Sequence, residues 1–414
     1  MKFQPAKGTR DLLPEDAIKM QKIMQTCRDV FEKYGFEPLI TPAFESFDLL
    51  AAKGGYGEAV KDEIYYFKDK SDRELGLRFD LTIPLARVAS SNSFSKPFKR
   101  YAVDKVWRYD QPQAKRWREF FQADIDVVGS KSLLSDVECL AAICEVLDKL
   151  GFKDYQIRIN NRKVLEEFVK KIVDPDKVIE AFRTIDKLDK VGLEGVEAEL
   201  KSKNIPESLI SKLLAVREIE KIEDSEGRKE LDGFFELVKE FGIYEKLRFD
   251  ITLVRGLEYY TSMVYEVNLG ANVSCGGGGR YDNLIKIIGS VDLPATGISL
   301  GLDRILEVMK ENKMFDDVKS TKVFVISAEG AARNDIIKIA RELRENDINV
   351  QMDVMDRNFS KQLEYASNSK IPYVMIVGKE ELNKKEFKLK DMKTGEQKEL
   401  KLKDVISSLK IKGD

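Results

Sequence analysis

Residues 118–128 carry an apolar side chain at every second position, Phe121, Ala123, Ile125 and Val127. The positions between them are Arg118, Phe120, Gln122, Asp124 and Asp126. Successive side chains of an extended strand leave opposite faces, so this stretch has one apolar face and one polar, mostly charged face. Residues 76–82 repeat the pattern, with Leu77, Phe79 and Leu81 set against Arg78, Asp80 and Thr82. In 98–109, Ala102, Asp104, Val106 and Arg108 share a face. A solvated antiparallel sheet would account for any one of these stretches. Unlike charges aligned on all of them point instead to a binding face. The polar run from Tyr109 to Trp117 would join the last two strands as a long hairpin.

Around this sheet the chain divides by period. Residues 16–34 place Ile18, Met20, Ile23, Met24, Cys27, Val30 and Phe31 at helical spacing. A short extended segment through Thr41-Pro42 follows, and a proline at a strand end suggests an edge or an interface. Residues 132–150 predict a helix and 155–160 a strand. From about 162 to 244 strand signals vanish and the sequence is helical and charged, an insertion within the unit that resumes at Leu247. A Lys- and Asp-rich linker spans about 310–321. Beyond it, strands at Lys322–Ser327, Ile348–Val354 and Ile371–Val377 alternate with helices at 332–346 and 358–369, the pattern of parallel βαβ units. Two charged strands, Glu386–Asp391 and Lys398–Lys403, flank the turn at Gly395.

Composition narrows the chemistry. The 414 residues are 43% hydrophobic and 34% charged, with no apolar run long enough to span a membrane and no secretory leader pattern, so a cytoplasmic protein is expected. Net charge is −2, from 70 basic and 72 acidic residues, so an RNA partner would need local basic patches. Cys27, Cys139, Cys144 and Cys275 form no CxxC pair and are expected to be buried thiols. Histidine is absent, which removes imidazole acid–base catalysis and His-ligated metals. No resident metal site is expected. The chemistry must come from carboxylates, arginines, backbone amides and whatever metal a ligand brings.

Two strings concentrate those groups. Leu253-Val254-Arg255-Gly256-Leu257-Glu258-Tyr259-Tyr260-Thr261 sets a permanent cation near two phenols. A strand and the run Gly276-Gly277-Gly278-Gly279-Arg280-Tyr281 follow. The run fits neither a P-loop nor a dinucleotide fingerprint, because Lys-Ser or Lys-Thr is missing and Tyr281 stands where a glycine is required. It reads as a floor on which a ligand lies flat, with a phosphate approached closely by main chain. Arg108, Arg255 and Arg304 suit a substrate bearing several phosphates. Asp80, Gln122 and Asp126 suit a cationic or hydrogen-bond-donating small ligand.

Taken in order, these strings resemble the histidyl-tRNA synthetases, class II aminoacyl-tRNA synthetases, over essentially the whole chain. The resemblance runs through Lys7–Pro14, Thr41–Glu45, Leu77–Pro84, Val106–Arg108, Arg116–Asp124, Leu253–Tyr260, Gly278–Tyr281 and Gly301–Arg304. The wording at Leu77–Pro84 is that of archaeal and eukaryotic members. The resemblance implies an α+β fold with a class II antiparallel-sheet catalytic core at 1–165 and 245–310. It also implies a helical insertion at 166–244 and a C-terminal α/β anticodon-binding domain at 322–414. Arg108 would bind the α-phosphate of ATP, Arg304 its γ-phosphate side, and Glu119 would sit near the adenine. Arg255 would stand by the α-phosphate and the amino-acid carboxylate, where other class II enzymes use a metal. Asp80, Thr82, Gln122, Asp126, Tyr259, Tyr260 and Tyr281 would enclose L-histidine. Asp80 and Asp126 are a methylene shorter than the glutamates of many bacterial members. Arg333, Arg357, Lys361 and Lys379 would offer RNA contacts. Substrates would be ATP with Mg2+, histidine and tRNA(His), and the Pro42 region would face a second copy in a homodimer. The alternative is the non-catalytic histidine-binding regulatory subunit of ATP phosphoribosyltransferase. Those paralogues typically lose the Arg255-type signature and the anticodon domain, and both are present here.

Overall fold

The computed structural model describes residues 3–52, 64–109, 117–255, 259–270, 273–314 and 320–411. The hairpin loop at 110–116, the centre of the Arg255 signature at 256–258 and linker residues 315–319 lie outside the described residues. The chain divides into two units, 1–12 with 19–314 and 13–18 with 315–414.

In chain order the first unit contains β1 (Glu37–Pro38), β2 (Phe44–Ser46), β3 (Tyr66–Lys68), β4 (Glu74–Leu77), β5 (Phe98–Trp107) and β6 (Glu119–Val128). β7 (Tyr155–Asn161), β8 (Leu247–Phe249), β9 (Met263–Leu269), β10 (Val273–Arg280) and β11 (Ala295–Gly301) follow. Eight of these strands form one sheet in the order β1-β5-β6-β11-β10-β9-β7-β8. The end pairs β1–β5 and β7–β8 are parallel, and the six central strands pair antiparallel. The alternation in 118–128 is thus expressed as a two-faced strand at the centre of an antiparallel sheet.

The helix Leu133–Lys149 packs on β6 and β11, burying Val137, Leu140, Ile143, Val146 and Leu147. Burying each such side chain contributes about 1.5–3 kcal/mol. Ser132 starts this helix by accepting a hydrogen bond from the Leu134 amide. All four cysteines are buried and unpaired, Cys139 and Cys144 within this helix. Burial pushes the Cys27, Cys144 and Cys275 thiols up to about 12, so they behave as small apolar side chains.

One expected strand is shorter than its pattern. β4 ends at Leu77, and a helix, Thr82–Ser91, begins where alternation predicted strand. The cause is Asp80, whose Oδ1 accepts from the amides of Ile83 at 2.9 Å and Thr82 at 3.2 Å. A short carboxylate ahead of a helix satisfies amides with no partner in the first turn, and here that outweighs the continued alternation of Phe79 and Leu81. β4 joins β2 and β3 in a separate small sheet. Arg78, almost wholly buried, ties that sheet to β5. It donates to the carbonyls of Thr41 at 2.8 Å and Lys105 at 3.0 Å and pairs with Asp104 at 2.7 Å.

Between β7 and β8 the chain is helical, as expected: Arg162–Lys170, Val178–Ile185, Leu188–Ser202, Ser208–Leu214 and Glu226–Glu240. Phe182, Leu200, Leu209, Leu231 and Phe234 are among its buried side chains.

In the second unit, β12 (Val323–Ser327), β13 (Val350–Met352), β14 (Tyr373–Val377), β15 (Glu386–Asp391) and β16 (Gln397–Lys401) form a sheet ordered β13-β12-β14-β15-β16. β12 runs parallel to both neighbours, and β14, β15 and β16 pair antiparallel. Val323 and Val325 are buried on one face of β12, Phe324 and Ile326 on the other, as a central parallel strand requires. The helices Lys379–Lys384 and Leu402–Ile411 were not foreseen, and the last strand stops at Lys401 rather than Lys403. Of the expected RNA contacts, Arg333 pairs with Asp356 at 2.7 Å and Arg357 with Asp353 at 2.6 Å. Lys361 and Lys379 lie exposed in the first turns of their helices.

Candidate active site

A cavity of about 950 Å³ lies over β6, β11 and β10. Asp80, Thr82, Arg108, Gln122, Asp126, Arg255, Tyr259, Tyr260, Tyr281 and Arg304 all line it. Glu119 does not. On β6 it falls on the face opposite Phe120 and Gln122, where Lys105 Nζ donates to it at 2.7 Å and Trp107 Nε1 at 2.8 Å. Burial works against its charge, but those two donors hold its carboxyl below the usual range.

The three arginines are each seated on a backbone carbonyl. Arg108 follows β5, and its Nε donates to the carbonyl of Phe79 at 3.0 Å. Its guanidinium lies 5.2 Å from the ring centre of Phe120. Arg304, in the first turn of the helix Leu302–Glu311, donates from Nη1 to the carbonyl of Ser274 at 2.6 Å. Arg255 reaches across the end of β10. Its Nη1 is 3.4 Å from the carbonyl of Gly276, and its Nη2 donates to Glu266 at 2.6 Å and to Ser274 Oγ at 3.0 Å. Gly277 makes this seat possible, because a Cβ there would stand 1.8 Å from Arg255 Nη1. The glycine run is therefore strand, β10 itself, and it lets a cation lie against main chain.

Acceptors gather on β6. Asp126 pairs with Arg100 at 2.7 Å and accepts from the Tyr281 hydroxyl. Its cross-strand partner is Gly297, where a Cβ would meet Asp126 Oδ1 at 2.0 Å. Burial pushes the Asp126 carboxyl up, against the pull of Arg100. Asp124 accepts from Ser299 Oγ, and burial, with Asp126 and Asp80 nearby, raises its carboxyl to about 7 against the pull of Arg100. Gln122 Nε2 donates to the same Ser299 hydroxyl at 2.9 Å. Its buried Oε1 has no hydrogen-bond partner among the described residues. A buried acceptor without a partner calls for an N–H donor, which a ligand ammonium or imidazole would supply. Tyr259 donates to the Tyr260 hydroxyl at 3.0 Å, and its ring meets Tyr281 edge-on at 6.2 Å.

Arg280, adjacent to Tyr281, turns the other way. It is 4% exposed and pairs with fully buried Asp136, which also accepts from Tyr265 and Thr296. Asp303, in the string Gly301–Arg304, braces β6: it accepts from the Phe121 amide at 2.7 Å and pairs with Arg10 at 2.8 Å. Asp124, Ser299, Ser274 and Glu266 joined the cavity wall without having been singled out. Asp124 had a usable signal, since it shares strand parity with Gln122 and Asp126. The others had none that sequence spacing carries.

The second unit and the first each match a known family. A family model described as histidyl-tRNA synthetase matches residues 8–305, and one described as anticodon binding domain matches 322–412. The histidine–tRNA ligase of Christiangramia forsetii is 39% identical, with 98% of each chain covered. That of Nanoarchaeum equitans is 39% identical over 97% of each. The crystal structure of histidyl-tRNA synthetase from Nostoc sp. PCC 7120 superposes with a TM-score of 0.86 at 29% identity, covering 99% of both chains. Sequence, fold and the arginine- and carboxylate-lined cavity agree: this chain belongs to the histidyl-tRNA synthetase family.

Proposed function

We propose that the chain activates L-histidine with ATP, releasing pyrophosphate, and then transfers the histidyl group to the 3′ end of tRNA(His). The observation that carries this reading is the meeting of Arg108, Arg255 and Arg304 with Asp80, Gln122 and Asp126 around one cavity. In the first step a histidine carboxylate oxygen attacks the α-phosphorus, and the bond to pyrophosphate breaks. The carboxylate is already ionised near neutral pH, so the step needs positioning and charge neutralisation rather than a base. Arg108 and Arg255 would take the α-phosphate and the substrate carboxylate, and Arg304 the γ-phosphate side. Mg2+ would arrive with the phosphates. Its ligands would come mainly from ATP. Asp80, Thr82, Gln122, Asp126, Tyr259, Tyr260 and Tyr281 would enclose histidine. A wrong amino acid would leave buried polar groups there without partners. A role for Glu119 on the adenine side would be exerted through the hairpin it braces.

We assign 1–165 and 245–310 to the catalytic core, 166–244 to an insertion and 322–414 to the anticodon-binding domain. A homodimer is supported by an apolar surface near Pro42: Ile40 is 87% and Phe44 51% exposed, and Phe44 packs edge-on against Phe67. No helix among the described residues is long and apolar enough to cross a membrane, and we place the reaction in the cytoplasm with the tRNA pool. ATP–pyrophosphate exchange with each standard amino acid, without tRNA, tests the reading. Exchange with histidine alone is expected. Histidine binding without exchange would favour the regulatory paralogue.

A further inference from the structure

The catalytic side of the cavity is linked to the helical segment between β7 and β8 by a chain of ion pairs. Arg158, on β7 and mostly buried, is its hub. Its Nη1 meets Asp189 Oδ2 at 2.6 Å and Glu266 Oε2 at 2.9 Å, and its Nε meets Asp250 Oδ2 at 2.8 Å. Asp189 belongs to the first turn of the helix Leu188–Ser202 and is 67% exposed. Glu266 carries the link onward, because its other oxygen, Oε1, holds Arg255 Nη2 at 2.6 Å. Asp250 carries it along the backbone: its Oδ1 accepts from the amide and hydroxyl of Thr252, in the turn that leads to Arg255. The turn Ile185–Lys190 itself forms part of the cavity wall.

We propose that Arg158 and Glu266 are positioning residues for Arg255, and that Asp189 couples the helical segment to amino-acid activation through them. The inference rests on the histidine-activating reading above. Glu266 is shared between two guanidiniums, so its orientation depends on how Arg158 is otherwise satisfied. With Asp189 in place, Arg158 has an anion on its outer edge, and Glu266 can keep one oxygen on Arg255. Without it, the nearest carboxylates close around Arg158, and Glu266 Oε1 is drawn off Arg255. A guanidinium meant to meet the α-phosphate is then held less well, which lowers turnover more than ground-state binding. Any movement of the helical segment on engaging RNA would reach Arg255 by the same route.

The test is a double-mutant cycle in histidine-dependent ATP–pyrophosphate exchange. Asp189→Ala lies in an exposed position and leaves the core intact. It is expected to lower kcat about three- to tenfold with KM for histidine changed by less than about twofold. In a Glu266→Gln background the same substitution should add nothing, because the chain is already broken. An unchanged kcat for Asp189→Ala, or equal losses in both backgrounds, overturns the coupling. Asp189→Glu, which keeps the charge, should restore most of the rate. A wild-type chain that exchanges with no amino acid refutes the activity reading instead. The coupling is then decided by hydrogen exchange, as it is if Glu266→Gln fails to fold. Asp189→Ala should speed amide exchange at Thr252–Arg255, and unchanged rates there overturn it.

Discussion

Substituting Gly277 by alanine tests the seating of Arg255 without touching Arg255 itself. The added Cβ would stand 1.8 Å from Arg255 Nη1, 2.8 Å from its Cζ and 2.9 Å from the carbonyl oxygen of Tyr265. Comfortable carbon contacts begin near 3.5 Å, so the guanidinium must retreat by roughly 1.5 Å or more. The carbonyl belongs to the paired strand β9 and yields little, whereas the guanidinium is the free end of a flexible side chain. The arginine therefore moves first, and the Tyr265 carbonyl must also give by a few tenths of an ångström, at a total cost of about 1–3 kcal/mol for overpacking. A misplacement of about 1 Å in a reacting constellation costs on the order of 100-fold. That corresponds to about 2.7 kcal/mol of lost transition-state stabilisation. Histidine-dependent pyrophosphate exchange should fall by about that factor in kcat/KM. Histidine binding by calorimetry should change by less than about tenfold. In an Arg255→Ala background, Gly277→Ala should cost little more. A folded Gly277→Ala protein with exchange within a few-fold of wild type would refute the argument, since activity would not depend on where the guanidinium lies.

Other substitutions probe the surroundings. Burial raises the Asp124 carboxyl to about 7, so over about pH 4–7 the folded chain binds this proton more tightly than the unfolded chain. The group supports folding below that window, and the support is lost as pH rises through about 7. Asp124→Asn removes this dependence, so the melting midpoint of the variant relative to wild type should rise with pH across the window; a constant difference contradicts it. Asp136→Ala removes the fully buried partner of the Arg280 guanidinium, leaving it Asp282 at 3.2 Å and the carbonyls of Ser130 and Ser132, and should cost about 3 kcal/mol in denaturant unfolding. A loss below about 1 kcal/mol would mean the pair is dispensable. Ile40→Asp introduces a charge at an 87% exposed position. It should leave monomer stability unchanged and shift sedimentation from dimer to monomer; an unshifted dimer would place the interface elsewhere.

Much of this was legible in the sequence because the period is local. The two faces of β6, the all-helical stretch after β7 and the parallel centre of the second unit all follow from side-chain spacing within one element. Where spacing misled, a local competitor had won. Leu77, Phe79 and Leu81 keep alternating, but Asp80 accepts from the first two amides of a helix, and the extended run ends. Long-range closure was not legible. Arg158 is 92 residues from Asp250 and 108 from Glu266, and nothing at any one of these positions announces the others. Nor does the sequence say that β6 and β11 are neighbours, a pairing that puts Gly297 opposite Asp126 and leaves room for its carboxylate.

The division of labour between adjacent residues follows from the same period of two. Arg280 and Tyr281 stand side by side in one family string, yet Tyr281 donates to Asp126 at the cavity while Arg280 holds Asp136 in the core. A string of this kind thus encodes a site and its support together. The arginines that remain on the cavity side share a further property. Arg108 is anchored to the carbonyl of Phe79, Arg304 to that of Ser274, and Arg255 in part to that of Gly276. A carbonyl fixes the orientation of a guanidinium without cancelling its charge, whereas a carboxylate does both. Anchors of this kind help preorganise the cations of a chain that has no histidine to lend and that must stabilise charge moving between phosphates. Arg255 also holds Glu266. That carboxylate offsets part of its charge, and the carboxylate's other cationic partner is Arg158, which also touches the helical segment. Arg255 leans on a carboxylate that Arg158 shares, so it can be tuned from the helical segment outside the sheet.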